Sequence, residues 1–589
     1  MTATAFTRVE VDPMTLRVLG GAFGAIAKEM AQVIFRTAFF QLIREAEDLG
    51  AGLFDAEGRE IAESETTAMH CGSIPAYIRG IRRVWGDEIH ERDVFLHNYA
   101  YNGASHVADV CIAVPIFWEG ELVAWSAGTA HLADLGASSA GLCTDAWDVF
   151  AEGRNYNALK VEDRGVRNEE LLRHVFENVR TPELNRGDIE ALYTASRLGE
   201  QRFRRLLERH GRDTVLSAAF TWMDHCEQLL RAEIAKMPDG EYVAPVQWMD
   251  DDAVNRGRPL NINVKVVKEG TDITIDLTGS HPEVDTAVNA TLEGATMVAA
   301  YFIVRTIFLD QARHTAFIPH NDGMFRPVKV IAPEGTIFNP RFPRASYARF
   351  CACQIASDSV LLALAEAVPE QVCAGTGAEV HVIAFSGLDE DTRRYWVYVQ
   401  LTESSWGGRF GKDGMDSIGC LMENIRNNPV EEEELSFPVR VLAYELRDEG
   451  PAPGKWRGGL GVVRKTRFLG PGWVTSEAER QYDPPKGLFG GANGHTARTT
   501  VYAADGRELA LPSKFTNHKM SAGDVIEFRT ACGGGYGVPL DRDPELVARD
   551  VRDELVSVEA ARRDYGVVLD SGALAPDAEA TERERASRR

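Results

Sequence analysis

The chain has 589 residues, of which 44% are hydrophobic and 26% charged, a composition typical of a globular protein with a large core. Its formal net charge of -24, without any basic stripe interleaved with aromatic residues, argues against nucleic acid as a partner. Nine scattered cysteines, no secretory signal and no apolar run of about 18 residues predict a reduced, cytoplasmic protein without a membrane anchor.

The first elements along the chain are a predicted helix and a charged segment. Asp12 is an N-cap residue, Pro13 suits the first helical position, and apolar residues then recur at helical spacing. We interpret the charged residues 44–48 as a solvated turn before a strand. A hydroxyl-rich loop follows, and it contains His70 ahead of a helix that starts near Pro75. Histidines in such loops most often bond to local backbone, although His70 is also a candidate site residue.

Residues 97–136 contain the pattern with the clearest chemical content. The apolar residues 110–117 and 122–130 predict two antiparallel strands, and the turn signal at residues 118–121 joins them. The two strands therefore form a hairpin whose open end carries the polar residues that flank it.

His106, Asp109 and His131 fall at the open end of this predicted hairpin. Counting back from the turn places His131 opposite Ala108. Side chains alternate along a regular strand, so His106 and Asp109 converge only if residues 105–108 form a bend. Two imidazoles and one carboxylate at one point suit a divalent transition metal with open positions for water or substrate. The structural alternative is that all three are ordinary polar side chains at strand ends.

The remaining patterns set the fold class. Residues 168–237 are predicted to be helical throughout, and strands and turns dominate residues 369–539. We predict a mixed α+β fold of several layers, with largely antiparallel sheets and a long helical block in the N-terminal half. The predicted divisions are an N-terminal domain at residues 1–240, a strand-rich α+β region at residues 241–540 and a charged, partly disordered tail at residues 541–589.

Glycine clusters at residues 458–461, 490–491 and 533–537 raise the question of a nucleotide site. None is followed by the Lys-Ser/Thr of a phosphate-binding loop, and none lies between a strand and a helix with a ribose-binding acid downstream. We interpret them as tight turns and close strand packing. The chain alone is therefore not expected to bind ATP.

A succession of motifs resembles the hydantoinase B family. The motifs are VDPMTLRVL, REAEDLGAGLFDAEGR, HCGSIPAYIRGI, NGASHVADV, GTAHLADLG, NVRTPELNRGDIEA, VNATLEG, NDGMFRPVKV, GKWRGGLGVVR and GGGYG, in this order between residues 11 and 539. That family also contains the C-terminal half of 5-oxoprolinases and a large subunit of acetone and acetophenone carboxylases.

The resemblance implies a subunit of a larger enzyme. Its expected partner is an actin-like ATPase subunit of the hydantoinase A type, which handles ATP and magnesium and phosphorylates an amide or carbonyl oxygen of a small-molecule substrate. A small additional subunit is a further expected partner, and no biotin is expected. In the acetone carboxylase branch the metal is typically manganese, and its ligands match His106, Asp109 and His131 here. Zinc is the alternative metal.

Departures from hydantoinase-type sequences favour the ketone carboxylase branch, acetophenone carboxylase in particular. Residues 103–106 are Gly-Ala-Ser-His where those members usually have Gly-Gly-Thr-His, and residues 423–429 lack their Thr-Asn-Thr-Arg-Asn-Thr-Pro form. The first expectation is thus ATP-dependent carboxylation of a ketone with bicarbonate-derived CO2, through an enolate or phosphoenol. Two alternatives stay open: opening of a cyclic amide by a hydantoinase, 5-oxoprolinase or lactamase complex, and a non-catalytic structural role alongside an ATPase.

Carboxylation needs a base for the α-proton and a pocket that is poor in water. His70 and His97 are the candidate catalytic bases, since an imidazole has its pKa near working pH. Tyr99, Tyr101 and Trp125 are candidate pocket residues. Aromatic side chains beside a hairpin more often pack in the core, which is the alternative for these three.

Overall fold

The computed structural model describes residues 6–314, 317–378, 381–570 and 572–588. Within these ranges the helices are α1 (Pro13–Thr37), α2 (Gln41–Arg44), α3 (Ala68–Trp85), α4 (Glu169–Glu177), α5 (Pro182–His210), α6 (Arg212–Ile234), α7 (Met297–Phe308), α8 (Arg349–Ala363), α9 (Val430–Ser436), α10 (Pro544–Arg552), α11 (Val558–Tyr565) and α12 (Ala578–Ala586).

The strands are β1 (Leu49–Asp55), β2 (Glu60–Glu63), β3 (Val94–His97), β4 (Asp109–Trp118), β5 (Glu121–His131), β6 (Leu159–Asp163), β7 (Val166–Arg167), β8 (Gly240–Val243), β9 (Gln247–Met249), β10 (Leu260–Ile262), β11 (Lys265–Glu269), β12 (Asp272–Asp276), β13 (Val328–Ile331), β14 (His381–Leu388), β15 (Tyr395–Thr402), β16 (Val439–Leu446), β17 (Val462–Phe468), β18 (Gly472–Glu477), β19 (Arg498–Tyr502), β20 (Glu508–Leu511), β21 (Phe515–Met520) and β22 (Val525–Arg529). The predicted mixed α+β class with largely antiparallel sheets is confirmed.

The N-terminal sheet has seven antiparallel strands in the order β2-β1-β5-β4-β3-β6-β7. Helices cover both faces. Val110 and Ile112 pack in the same core as residues of α1 and α5, whereas Cys111 and Ala113 pack with residues of α3. Because alternate residues of β4 meet different helices, the strand is apolar along its whole length.

The chain beyond residue 240 adds further sheets around a central helix. One sheet has the order β13-β12-β11-β8, and a pair of four- and five-stranded sheets, β15-β14-β18-β21 and β16-β17-β22-β19-β20, shares a separate core. Helix α8 is buried along nearly its whole length. The main core runs from Leu19 to Met422 and so crosses the predicted domain boundary at residue 240.

The segment after residue 540 differs from the predicted partly disordered tail. It contains α10, α11 and α12, which begin at the N-cap residues Asp543, Ser557 and Asp577. Val547 of α10 and Tyr565 of α11 belong to a small apolar cluster. Local capping and a few apolar residues at helical spacing thus outweigh the charged composition on which the prediction relied.

Two helical stretches are long and apolar enough to cross a membrane by length and composition alone, Pro13–Thr37 and Leu292–Arg313. Their apolar windows are 44% and 61% buried inside the protein. Leu19, Phe23 and Met30 of α1 belong to the main core, where Phe23 stacks on Phe203 of α5, so core packing accounts for the hydropathy of this helix. All nine cysteines lie in the described residues, where they are buried and form no disulfide.

Candidate metal centre

The predicted hairpin is present, with one difference in register. Strands β4 and β5 are antiparallel neighbours, and Trp118 pairs with Glu121 as expected. A bulge changes the pairing between Ile116 and Phe117, so that Val123 is an extra residue in β5. His131 therefore lies opposite Asp109 rather than opposite Ala108. The bulge brings the second histidine level with the carboxylate.

The predicted bend before β4 is also present, and α3 holds it in place. Gly103 has a φ of 106°, and a Cβ atom there would lie 2.1 Å from the carbonyl oxygen of Ala76 in α3, so only glycine fits. The Tyr77 hydroxyl of α3 accepts a hydrogen bond from Ser105 N at 3.1 Å and donates one to Asp109 O at 3.0 Å. Both ends of the bend are thereby fixed to one helix.

The bend brings the three predicted ligands together. His106 Nε2 lies 2.8 Å from Asp109 Oδ1, and His131 Nδ1 lies 3.5 Å from the same oxygen. One ligand atom from each residue lies within 4.8 Å of the other two, and all three side chains are buried. Two imidazole nitrogens and a carboxylate oxygen with open positions form a donor set that manganese and zinc both accept.

The hydrogen bonds of His106 give a test of whether a cation fits. Its Nδ1 is 2.9 Å from the carbonyl oxygen of Tyr347, and its Nε2 faces Asp109 Oδ1. Burial, together with nearby Arg349, lowers the pKa of His106 to about 3, so the ring is neutral and has one N–H for two oxygen acceptors. If Nδ1–H donates to Tyr347, the Nε2 lone pair faces a carboxylate. A cation bound by both the nitrogen and the carboxylate would remove the conflict.

Asp109 is held from its other side by α8. Arg349 donates to Asp109 Oδ2 at 2.9 Å and to the Ser105 hydroxyl at 2.9 Å. Burial alone would raise the pKa of Asp109, but His106, His70 and Arg349 hold it well below its usual value. Oδ1 is thus an ionised oxygen directed at the histidines, which is the state that a metal ligand needs.

The structure adds His70 and Asp48 to the site. His70 lies in the first turn of α3, which begins at Ala68 rather than near Pro75 as predicted. Its Nε2 is 3.1 Å from Asp48 Oδ1 and 3.7 Å from Asp109 Oδ1, and its Nδ1 is buried without a hydrogen-bond partner.

The prediction of a solvated turn is wrong for Asp48, which is buried beside the candidate ligands. Burial raises the pKa of Asp48, but the lowering by His70 and His131 is larger, so the pKa lies below its usual value. Leu49 of β1 pairs with Ala130 of β5, so Asp48 falls next to His131 in the sheet. The pairing of β1 with β5 is the signal that identifies Asp48, and it joins segments far apart in the sequence.

His97 is not brought to the site. Its Nδ1 accepts from Ala158 N at 3.1 Å, and its Nε2 lies 3.0 Å from the carbonyl oxygen of Asn102. Burial lowers its pKa. Among the described residues, His97 does not line the cavity that contains the three candidate ligands. Both ring nitrogens of His97 are hydrogen-bonded to main-chain groups, and this geometry favours a structural role over that of a catalytic base.

The predicted aromatic lining is not found either. Trp125 packs in the core between Phe54 and Phe95. The Tyr101 hydroxyl donates to the carbonyl oxygens of Arg341 and Arg344, and Tyr99 packs beside it. None of the three predicted aromatic residues borders the cavity in the described part of the chain.

The candidate ligands face a cavity of about 50 Å³ that both halves of the chain line. Asp48 and His70 come from the N-terminal half, and Arg349, Glu423 and Glu477 come from the C-terminal half. A volume of this size holds one or two waters, at roughly 30 Å³ of liquid volume each. Sequence reasoning missed Arg349 and Glu477, because no local pattern marks them.

A larger cleft of about 730 Å³ adjoins this cavity. Glu423 lines both spaces. Thr66 and Ala68 line the cleft, and their neighbours Thr67 and Met69 line the cavity. Arg305 and His320 also border the cleft. The small cavity holds the candidate ligands, so the cleft is a space beside the chemistry and not its centre.

Nearly the whole chain matches a known protein family. Residues 12–539 match the family model described as hydantoinase B/oxoprolinase. The chain belongs to this family. The resemblance found in the sequence motifs is thereby confirmed for nearly the whole chain.

Named relatives cover the chain almost from end to end. The hydantoinase B polypeptide of Pseudomonas sp. strain NS671, named as part of a putative D-/L-hydantoinase, is 41% identical over 571 residues, which are 95% of this chain and 96% of that protein. The β subunit of the caprolactamase of Pseudomonas jessenii is 29% identical over 98% of this chain and 99% of that protein.

Two solved structures share the fold. The crystal structure of ATP-dependent caprolactamase from Pseudomonas jessenii has a TM-score of 0.89 at 28% identity, over 98% of this chain and 100% of that chain. A nucleotide-free acetone carboxylase structure has a TM-score of 0.87 at 19% identity, over 98% of this chain and 83% of that chain. At that identity the second likeness shows the fold alone.

Proposed function

We propose that this chain is the hydrolytic subunit of a cytoplasmic, ATP-dependent complex that opens a cyclic amide. The observation that carries the proposal is the buried cluster of His106, Asp109 and His131 around a cavity that holds one or two waters. The relatives named as a D-/L-hydantoinase and a caprolactamase support cyclic amides as the substrate class. They also support a partner, because both are named as subunits.

The division of labour follows from what the chain lacks and what it holds. The sequence has no phosphate-binding loop, so we assign ATP and magnesium to a partner subunit of the hydantoinase A type. This chain supplies the buried, hydrogen-bonded site in which the carbon–nitrogen bond of the ring is broken.

His106, Asp109 and His131 would hold a divalent metal, manganese or zinc, with Asp48 as a further carboxylate within the same cavity. Such a metal supplies Lewis-acid chemistry: it lowers the pKa of water and polarises a carbonyl group. The donor set fits, because neutral His106 has one N–H for two oxygen acceptors, and a bound cation would give its other ring nitrogen a partner.

The surrounding residues fix the geometry of these ligands. The Tyr347 carbonyl sets the ring orientation of His106, and Arg349 fixes the carboxylate plane of Asp109. His70 bridges Asp48 and Asp109 through one ring nitrogen. The small volume of the cavity keeps bulk water away from a reacting ring carbon, which approaches from the adjoining cleft.

Ketone carboxylation is the second candidate, and one observation favours it. Residues 103–106 and 423–429 depart from the hydantoinase-type motifs. Relatives of higher identity carry names of cyclic-amide enzymes, so we rank ring opening first.

The deciding experiment uses the chain copurified with its hydantoinase A-type partner. Hydantoin, 5-oxoproline and caprolactam are each incubated with ATP, with and without bicarbonate, and ring-opened product and ADP are measured by mass spectrometry and a coupled assay. We expect one ring to be opened with ATP turnover and without any need for bicarbonate. Bicarbonate-dependent carboxylation of acetone or acetophenone, with no ring opened, would establish the second candidate instead.

A non-catalytic role is tested in the same assay with His106→Ala. We expect this variant to lose ring opening. Full activity in His106→Ala would contradict a catalytic role for the whole site and favour a structural subunit. Asp134→Asn is the matched control, because Asp134 follows His131 at the same spacing at which Asp109 follows His106.

A further inference from the structure

Glu477 is a buried carboxylate that lines the same cavity. It ends β18 and lines the cavity from the side of the C-terminal sheet, opposite the hairpin that carries His106 and Asp109. It is 3% exposed, and its Oε1 atom is buried without a hydrogen-bond partner. A buried carboxylate oxygen without a partner is costly, so it points to a ligand or a reacting group.

The other lining carboxylates are already engaged. Asp109 contacts His106 and Arg349, and Asp48 contacts His70. Glu423 accepts from the Gln354 amide at 2.6 Å. Among the carboxylates of the described residues that line this cavity, Glu477 is therefore the one with a buried oxygen that lacks a partner.

The position of Glu477 is also well fixed. It pairs with Val382 of β14 in the centre of a sheet, so its Cα cannot shift without disturbing the strand. Two residues later Glu479 is bound to Lys514, which leaves that lysine committed to another carboxylate. Burial raises the pKa of Glu477 to about 7 against the influence of Arg349 and Lys514, and Asp109 adds to the rise. Such a carboxyl group can both accept and release a proton near neutral pH.

We propose that Glu477 is a catalytic residue that carries one proton from the attacking water to the ring nitrogen of a cyclic amide. This inference rests on the proposed function. Opening an amide needs a base for the water and an acid for the leaving nitrogen, because an amine anion does not leave unprotonated. One carboxylate that faces the cavity performs both tasks in turn.

The proton transfer conserves atoms and charge. In the activated ring the amide oxygen carries the phosphoryl group that the partner subunit transfers from ATP. The oxygen of water forms a bond to the ring carbon, and one of its protons moves to the Glu477 carboxylate. The carbon–nitrogen bond then breaks, its electron pair stays on nitrogen, and the same proton passes from Glu477 to that nitrogen. The second proton of water is released, and the carbon is left as an acyl phosphate, which a second water cleaves to the free acid and inorganic phosphate. Glu477 ends as the carboxylate with which it began.

The test compares Glu477→Gln and Glu477→Ala with the unmodified chain, each copurified with the ATPase partner. Ring opening is measured on the substrate that the unmodified complex opens, and manganese and zinc are measured by elemental analysis. We expect Glu477→Gln to lower turnover by about 100-fold to 10,000-fold while the metal content per chain is unchanged. Added formate should raise the turnover of Glu477→Ala, since it enters the vacated space, and should not raise that of Glu477→Gln.

Glu403→Gln is the matched control. Glu403 is another buried glutamate of the C-terminal half, bonded to the Tyr444 hydroxyl at 3.0 Å, and it does not line the cavity. We expect the turnover of the Glu403→Gln complex to stay within about threefold of that of the unmodified complex, because the substitution lies away from the site.

Three outcomes would overturn the proposal. A Glu477→Gln complex with turnover near that of the unmodified chain would exclude a proton-carrying role. Loss of metal together with turnover would show that Glu477 acts by supporting the metal ligands. An unmodified complex that opens no cyclic amide would refute the proposed function itself, and the proton transfer with it. Ring opening by the unmodified complex, measured without any variant, distinguishes the third outcome from the first two.

Discussion

Replacing Asp109 by asparagine tests the metal centre most directly. The substitution keeps the shape of the side chain but removes the charge on an oxygen that lies 2.8 Å from His106 Nε2 and 3.5 Å from His131 Nδ1. The amide nitrogen would donate to His106 Nε2, and the amide oxygen would still accept from Arg349. The variant is therefore expected to fold and to have no metal site.

The magnitude follows from linkage. A metal ion that binds only the folded state, at a free concentration about 1,000 times its Kd, stabilises that state by about 4 kcal/mol. For 589 residues, at about 2.1 cal/mol/K each, the entropy of unfolding is on the order of 1.2 kcal/mol/K. The metal should thus raise the Tm of the unmodified chain by about 3 °C. Asp109→Asn should show no metal-dependent shift.

The metal-free variant should also lose little stability. Breaking a buried ion pair costs about 3–5 kcal/mol when one charge is left without a partner. Arg349 still has the amide oxygen and the Ser105 hydroxyl as acceptors, so the loss in Tm should stay below about 4 °C.

Calorimetry of chelator-treated protein, with and without added manganese or zinc, measures both effects. Asp134→Asn is the control, because Asp134 is bonded to the Arg180 side chain at 2.7 Å and to Arg180 N at 2.6 Å instead of to a predicted ligand. An equal metal content and an equal shift in Asp109→Asn and in the unmodified chain would remove Asp109 from the site and refute the reasoning.

Two further predictions concern groups beside the site. His97→Ala should lower the free energy of unfolding by about 1–3 kcal/mol, because buried main-chain groups lose their hydrogen-bond partner. Metal content and turnover should stay unchanged. A loss of turnover without a loss of stability would instead support His97 as a catalytic base. Burial raises the pKa of Glu152 to about 8, so folding favours its protonated form. The stability that protonated Glu152 contributes to the folded state is therefore lost as pH rises from about 4.5 through about 8. Urea titrations should show a decline of up to about 1.4 kcal/mol per pH unit in that window, and the decline should be absent from Glu152→Gln; equal slopes in both proteins would contradict it.

The position of the three candidate ligands at one end of a hairpin was predictable from local patterns. The strands, the turn at residues 118–121 and the bend at residues 105–108 place His106, Asp109 and His131 at the same open end. The bulge at Ile116 and Phe117 was not predictable, because one extra residue changes no local preference. Without the bulge His131 would pair with Ala108, and its side chain would lie on the opposite face of the sheet from Asp109, so the bulge is what allows the three side chains to meet.

The residues around the ligands could not be predicted for a different reason. Asp48 reaches the site through the pairing of β1 with β5, and Arg349 and Glu477 reach it from α8 and β18. Each of these contacts joins positions that are far apart in the sequence. Composition and periodicity specify which residues are buried, but not which distant strand or helix lies beside them.

The site is completed by the C-terminal half of the chain, and the main core likewise crosses residue 240. Without α8 and the residues just before it, His106 would lose the Tyr347 carbonyl that orients its ring, and Asp109 would lose Arg349. The N-terminal hairpin alone would then leave a buried carboxylate beside two histidines with no counter-charge, an arrangement that is costly in a low-dielectric interior. The ligands can therefore be ionised and oriented only after the two halves have packed together, so folding and metal binding should be coupled in this chain.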